Sequence, residues 1–264
     1  MVRYCRFQTE DGPQYGALEM RGGELWMERV IAAPPEDWTV VQLCKDFPAR
    51  PVSELKLLVP VTPSKIVCIG RNYRDHAAEL GNDVPKEPLL FLKAPSALLA
   101  TEGTIRVPAL SQRVDFEGEL GVVIGRPCHK VGPQEDVRPF IRGYVIVNDV
   151  TARDLQKSDG QWSRAKGFDT FCPVGPIVSD CLDLEAGVHV TTRLNGELKQ
   201  HGSTRDLIFD IAHLIRHISV AMTLNPGDLI ATGTPAGVGP MYPGDVVEVE
   251  IEGLGVLRNP VAVE

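Results

Sequence analysis

Glu117 and Glu119 stand one residue apart in the segment Val114-Asp115-Phe116-Glu117-Gly118-Glu119-Leu120. Along a strand, residues i and i+2 project to the same side, so the two carboxylates would face one direction. Like charges in that register repel unless a cation or basic side chains lie between them. The apolar run Leu120 to Ile124 follows, which sets the pair at the margin of a buried strand. A second apolar run, Tyr144 to Val147, ends in Asn148-Asp149. A carboxylate at the end of a core strand is placed to face the same cavity. Three carboxylates without a nearby Cys or His suit a hard divalent cation, Mg²⁺ by default with Mn²⁺ or Ca²⁺ as alternatives. So few protein ligands leave positions for water and substrate oxygens. The competing reading of Glu-x-Glu alone is a solvated acidic strand face.

Acid–base groups occur elsewhere. His76 and Glu79 lie three apart after the strand-like Lys65 to Ile69, hence on one helical face. A carboxylate beside an imidazole fixes its tautomer and raises its basicity, which makes His76 a candidate general base and Glu79 its orienter. The bland alternative is a surface helix contact. Lys166, in the polar loop expected over Arg164 to Thr170, and Lys93, after Leu89-Leu90-Phe91-Leu92, could each offset the three carboxylates or hold a substrate carboxylate. His213 and His217 are spaced i, i+4 but lack the H-E-x-x-H pattern of a zinc helix. Gly233 to Gly239 is glycine-rich without the G-K-[ST] ending of a phosphate loop, yet it offers backbone N–H groups and the Thr234 hydroxyl.

The elements that must position these residues are mostly strands. The first sixty or so residues read as a small, separate β-rich unit: Arg3 to Gln8, Gln14 to Met20 and Glu24 to Arg29, broken at Asp11-Gly12-Pro13 and Gly22-Gly23. A short helix is expected over Thr39 to Lys45. Prolines 48, 51, 60 and 63 mark the junction, giving a domain of residues 1–62 and a larger one of 63–264. Beyond it come short apolar strands at Lys65 to Ile69, Leu89 to Leu92, Glu119 to Ile124, Tyr144 to Asn148, His189 to Leu194, Asp228 to Ala231 and Asp245 to Ile251. Asn195-Gly196 signals a hairpin. One long amphipathic helix is expected from about Thr204 to Met222, with shorter ones over Tyr73 to Leu80 and Arg153 to Lys157. Many strands, few helices and no βαβ alternation give a β-dominated α+β fold with a rolled or barrel-like sheet.

The 264 residues are 43% hydrophobic and 23% charged, an ordinary globular balance, with a net charge of -8. No Lys/Arg cluster suggests a nucleic-acid partner, and no apolar run approaches the length of a membrane span. The six cysteines are scattered without a C-x-x-C pair. They read as reduced thiols of a cytoplasmic protein, Cys68 as a core residue.

In order along the chain, seven pieces resemble the fumarylacetoacetate hydrolase superfamily. They are Gly70-Arg71-Asn72-Tyr73 with His76 and Glu79, Phe91-Leu92-Lys93, Asp115 to Leu120, Asn148 to Asp154, Lys166-Gly167-Phe168-Asp169, Leu194-Asn195-Gly196-Glu197, and Gly233 to Gly239. Each is weak alone; the ordered set, from Lys65 to Pro260, is specific. The resemblance implies a mixed β-sandwich roll and a homodimer. It implies Glu117, Glu119 and Asp149 as metal ligands, the His76–Glu79 dyad on a lid helix, Lys166 as the active-site lysine and Thr234 as the substrate-carboxylate threonine. Arg71 and Gln156 match positions that line the pocket. The short N-terminal unit resembles the smaller bacterial members, which include acylpyruvate hydrolases, oxaloacetate decarboxylases and 2-hydroxyhepta-2,4-diene-1,7-dioate isomerases. The implied partner is a small 2-keto or 2,4-diketo acid. The first expectation is hydrolysis of a C–C bond in an acylpyruvate-type compound through a metal-bound enolate. Oxaloacetate-type decarboxylation and diene-dioate isomerisation are the enzymatic alternatives, and a non-catalytic metabolite-binding protein is the alternative of another class.

Overall fold

The computed structural model describes residues 3–34, 47–79, 81 and 83–264. The helix expected over Thr39 to Lys45 lies outside them. The N-terminal strands form a meander, Arg3–Thr9, Gly12–Arg21 and Glu24–Ile31, paired antiparallel in sequence order. Its second turn uses Gly22 and Gly23 at φ 56° and 91°, the left-handed region that glycine enters at least cost. The meander joins the larger sheet at its edge, where Arg3 pairs with Ser179 and Tyr4 with Val178.

That sheet runs from the meander through Cys172–Ser179, Ile141–Asn148, Gly118–Ile124, Leu229–Ala231 and Ile66–Gly70 to Leu89–Lys93. All neighbours on this path are antiparallel except Leu229–Ala231 against Ile66–Gly70. Every residue of Gly118–Ile124 is buried. A strand covered on both faces reads as a near-continuous apolar run rather than an alternating one; Glu119 is the exception here, and the apolar side chains divide between the two faces. Leu120, Val122 and Ile124 enter one core with Ile146, Ile215, Ile230 and Val249. Val123 enters another with Cys68, Val145, Val147 and Cys172. The first core is closed by a five-stranded sheet containing Glu197–Ser203, His189–Leu194, Val246–Ile251 and Gly255–Val263, and by the helix Ile211–Ala221. The fold is strand-dominated, as expected, and Cys68 is a core residue at 0% exposure.

Three local expectations are corrected. The long helix from Thr204 is instead one 3₁₀ turn, Thr204–Asp206, followed by an α-helix that starts at Ile211. Asn72 causes the interruption: its carbonyl accepts from Ile208 N, and its side chain accepts from Phe209 N and donates to Phe209 O. Asp210 then caps the new helix by accepting from His213 N. The polar loop around Lys166 is a short helix, Ser163–Gly167, with Ala165 and Lys166 buried. Glu117 and Glu119 do not share one continuous strand. Val114–Phe116 pairs within a small three-stranded sheet and Gly118–Ile124 within the large one, so Glu117 sits at the step between them.

Candidate active site and metal centre

Register brings the carboxylates together. Glu119 stands opposite Val147 and Gly118 opposite Asn148 in the antiparallel pair. One step beyond the paired strand, Asp149 N donates to Glu117 O at 2.8 Å. Asn148 Oδ1 accepts from Glu117 N at 2.9 Å, which fixes the step in the chain. Oxygens of Glu117, Glu119 and Asp149 lie within 4.8 Å of one another, all three residues being buried. Among the described residues no other group of three His, Cys, Asp or Glu converges in this way.

Basic side chains surround the trio. Lys166 Nζ donates to Glu117 Oε2 at 2.9 Å and to Asp149 Oδ2 at 2.5 Å. Lys93 Nζ donates to Asp149 Oδ1 at 2.6 Å and to Val150 O at 3.1 Å. Arg153 bridges Glu117 Oε1 at 2.6 Å and Asp115 Oδ2 at 3.0 Å, and Asp115 is held from outside by Arg113. Burial opposes ionisation of Glu117, but Lys166 and Arg153 outweigh it and hold its carboxyl below the ordinary range. Glu119 differs. Its recorded partner is the Gly233 N–H at 2.8 Å. Burial, then the charges of Asp149 and Glu117, push its carboxyl well above the ordinary range. Burial also opposes the charge of Lys166, yet Asp149 and Glu117 raise its pKa and keep it an ammonium ion.

This donor set fits a hard divalent cation. Its oxygens converge, Glu119 forms no ion pair among the described residues, and the converging group contains neither thiol nor imidazole, which suits a hard ion.

One cavity of about 460 Å³ gathers the nine residues that the resemblance assigns to the site: Arg71, His76, Glu79, Glu117, Glu119, Asp149, Gln156, Lys166 and Thr234 all line it. His76, buried, lies on the helix Arg74–Glu79 with Nδ1 3.4 Å from Glu79 Oε2. Both Glu79 oxygens accept from Gly237 N at 3.1 Å. Thr234 Oγ1 donates to Gly118 O at 2.8 Å, so a substrate carboxylate would compete for that proton. Lys93, the other lysine considered, is buried behind Asp149 and does not line the cavity. His213 and His217 stack on each other on the outer helix, ring centroids 6.2 Å apart.

Three features of the site escaped sequence reasoning. Arg153 carried no spacing signal, because its partners lie 36 and 38 positions earlier in the chain. Trp162 meets Phe91 edge-on at 5.2 Å and forms the apolar wall. The Phe91 ring lies 4.7 Å from Lys166 Nζ, a cation–π contact that helps hold the ammonium.

The fumarylacetoacetate hydrolase C-terminal family matches residues 65–262, and the chain belongs to that family. It is a family of enzymes whose members include tautomerases, isomerases and hydrolases. The chain is 52% identical to protein Rv2993c of Mycobacterium tuberculosis over 270 residues, 98% of each chain. It is 42% identical to the oxaloacetate tautomerase YisK of Bacillus subtilis over 224 residues, 80% of this chain and 74% of the relative. A crystal structure of 2-hydroxyhepta-2,4-diene-1,7-dioate isomerase from Mycobacterium marinum matches with a TM-score of 0.88 at 43% identity, over 100% of this chain and 99% of that one.

Proposed function

We propose that this enzyme moves a proton within a small 2-oxo acid, interconverting keto and enol forms or shifting a double bond, with a divalent cation as cofactor and Mg²⁺ as the first candidate. The observation that carries the reading is the sharing of one cavity by the His76–Glu79 pair, the three carboxylates and a charged Lys166. Glu117, Glu119 and Asp149 would hold a divalent cation, which would supply positive charge to polarise a 2-oxo group.

The chain's own residues do the rest. Glu79 engages His76 Nδ1, which leaves Nε2 as the nitrogen that exchanges protons. In enolisation Nε2 takes a proton from C3, the C–H pair becomes the C2–C3 double bond, and the carbonyl π pair moves to oxygen. Nε2 then returns the proton to that oxygen. In a dienol substrate the hydroxyl proton leaves instead and C5 receives one. Lys166 stabilises the developing oxyanion and, being held as an ammonium, is not the base. Gln156, Arg71 and Thr234 orient the substrate carboxylate, and Phe91 with Trp162 screens the carbon chain from water.

Hydrolytic C–C cleavage, the first expectation from sequence, now ranks second. It uses the same dyad to activate water, and one solved relative bears a hydrolase name, but tautomerase and isomerase names are more numerous. We also propose residues 1–62 as a small N-terminal domain, a cytoplasmic location and a homodimer. No described helix is long and apolar enough to cross a membrane.

Following the loss of enol absorbance of oxaloacetate tests the reading, with a hydroxy-diene-dioate and acetylpyruvate assayed alongside. The expected result is proton transfer well above the spontaneous rate and abolished by chelator. Cleavage of acetylpyruvate without acceleration of either proton transfer would replace the reading with hydrolysis. Binding of these acids without any turnover would return the chain to the metabolite-binding class.

A further inference from the structure

Gln200 lies on the strand Glu197–Ser203 of the five-stranded sheet, 1% exposed, and has no part in the chemistry above. Its amide nonetheless makes three hydrogen bonds, with both N–H donors and the oxygen engaged. Oε1 accepts from Gly118 N at 3.0 Å, and Nε2 donates to Thr234 Oγ1 and to Pro235 O, both at 2.8 Å. Thr234 Oγ1 in turn donates to Gly118 O at 2.8 Å. The ring of bonds therefore grips the N–H of the Glu117–Gly118 peptide and the carbonyl of the Gly118–Glu119 peptide. These are the two links that separate the candidate cation ligands. The amide cannot be turned over, because an NH₂ would then face the Gly118 N–H.

Close approach is built in on both sides. A Cβ at Gly118 would lie 2.2 Å from Thr192 Oγ1 and 3.3 Å from Gln200 Oε1. A Cβ at Gly237 would lie 2.0 Å from Lys199 O and 3.4 Å from Gln200 Cα. Gly237 is the residue whose N–H holds Glu79. The Lys199-Gln200 step thus touches both the ligand-bearing strand and the glycine-rich segment that anchors the dyad.

We infer that Gln200 is a positioning residue for the cation site, fixing the separation of Glu117 and Glu119 through the peptides between them. The inference rests on the reading of those glutamates as cation ligands. Groups that orient ligands from behind are worth about 10–100-fold in metal affinity.

The test is calorimetric titration of Mg²⁺ and Mn²⁺ into metal-free wild type, Gln200→Met, Gln200→Asn and Thr192→Val, with thermal melting of each metal-free protein. Gln200→Met keeps the bulk and removes the amide. Gln200→Asn withdraws the amide by one methylene without burying new apolar surface, and serves if the Met variant does not fold. Both should bind cation about 10–100-fold more weakly, whatever their melting temperatures. Thr192→Val should bind as wild type, because Thr192 Oγ1 has no hydrogen-bond partner. Wild-type affinity in a folded Gln200 variant would overturn the inference alone. Wild type that binds neither ion would overturn the cation reading and this inference together.

Discussion

The three carboxylates and the His76–Glu79 pair face one cavity but are held in unlike ways. Glu117, Glu119 and Asp149 are at most 4% exposed and rise from or beside strands at the centre of the large sheet. Their backbone is pinned by Asn148 and Gln200, and the charges of Glu117 and Asp149 are balanced by Lys93, Arg153 and Lys166. The dyad rides on a helix of six residues. Its internal contact is 3.4 Å, and the Glu79 side chain is 34% exposed. The difference follows from what each must do. Three like charges do not stay together unless a rigid frame and counter-charges force them to, whereas a proton-transfer group needs only to reach its target when substrate is present.

The comparison can be broken hardest within the carboxylates. Glu117→Ala should abolish cation binding and turnover. It should also cost about 3–5 kcal/mol of stability, because Arg153 and Lys166 lose a buried partner. Glu119→Gln should abolish cation binding as completely while leaving the melting temperature of the metal-free protein unchanged or higher. Its carboxyl forms no ion pair among the described residues, and burial with the charges of Asp149 and Glu117 disfavours it as an anion. Calorimetry and thermal melting of the two variants decide the matter, and equal destabilisation would erase the distinction drawn between the two glutamates.

His76→Ala should lower kcat by roughly 10²–10⁴-fold and leave cation affinity near wild type. A matched loss of cation affinity would show that dyad and carboxylates are one unit. Glu79→Gln keeps an oxygen for the Gly237 N–H, so its effect on kcat should be smaller than that of His76→Ala.

The gentlest probe is pH. In the metal-free protein the raised pKa of Glu119 lets it retain a proton into a range where an ordinary carboxyl has lost its own. A cation must displace that proton, so affinity should rise with pH, by up to about tenfold per unit, until Glu119 ionises unaided, and then level off. Titrations in buffers of different ionisation enthalpy would count the proton released. Affinity independent of pH, with no proton released, would place the charge imbalance elsewhere.

Much of this was legible in one dimension. The seven strands expected after Lys65 are all present, because each is an apolar or alternating run bounded by turn residues. Cys172–Ser179 carries no local strand signal: Pro173, Gly175 and Pro176 are strand breakers by local rule, but here tertiary pairing overrides them. Leu207 and Ile208 fit the period of a helix running from Thr204, yet the α-helix starts only at Ile211. Asn72, far away in sequence, takes that backbone instead.

By itself the sequence marked Glu117, Glu119, Asp149, His76 and Glu79 as candidates through residue type and local pattern, and Lys166 through the family resemblance. Tertiary structure alone decided that Glu117 would be charge-balanced and Glu119 would not. It also decided that Lys93 would stand behind Asp149, and that a glutamine from a second sheet would grip the peptides between the ligands. Electrostatic balance depends on which distant groups are brought within a few ångströms, and only the folded chain sets those distances.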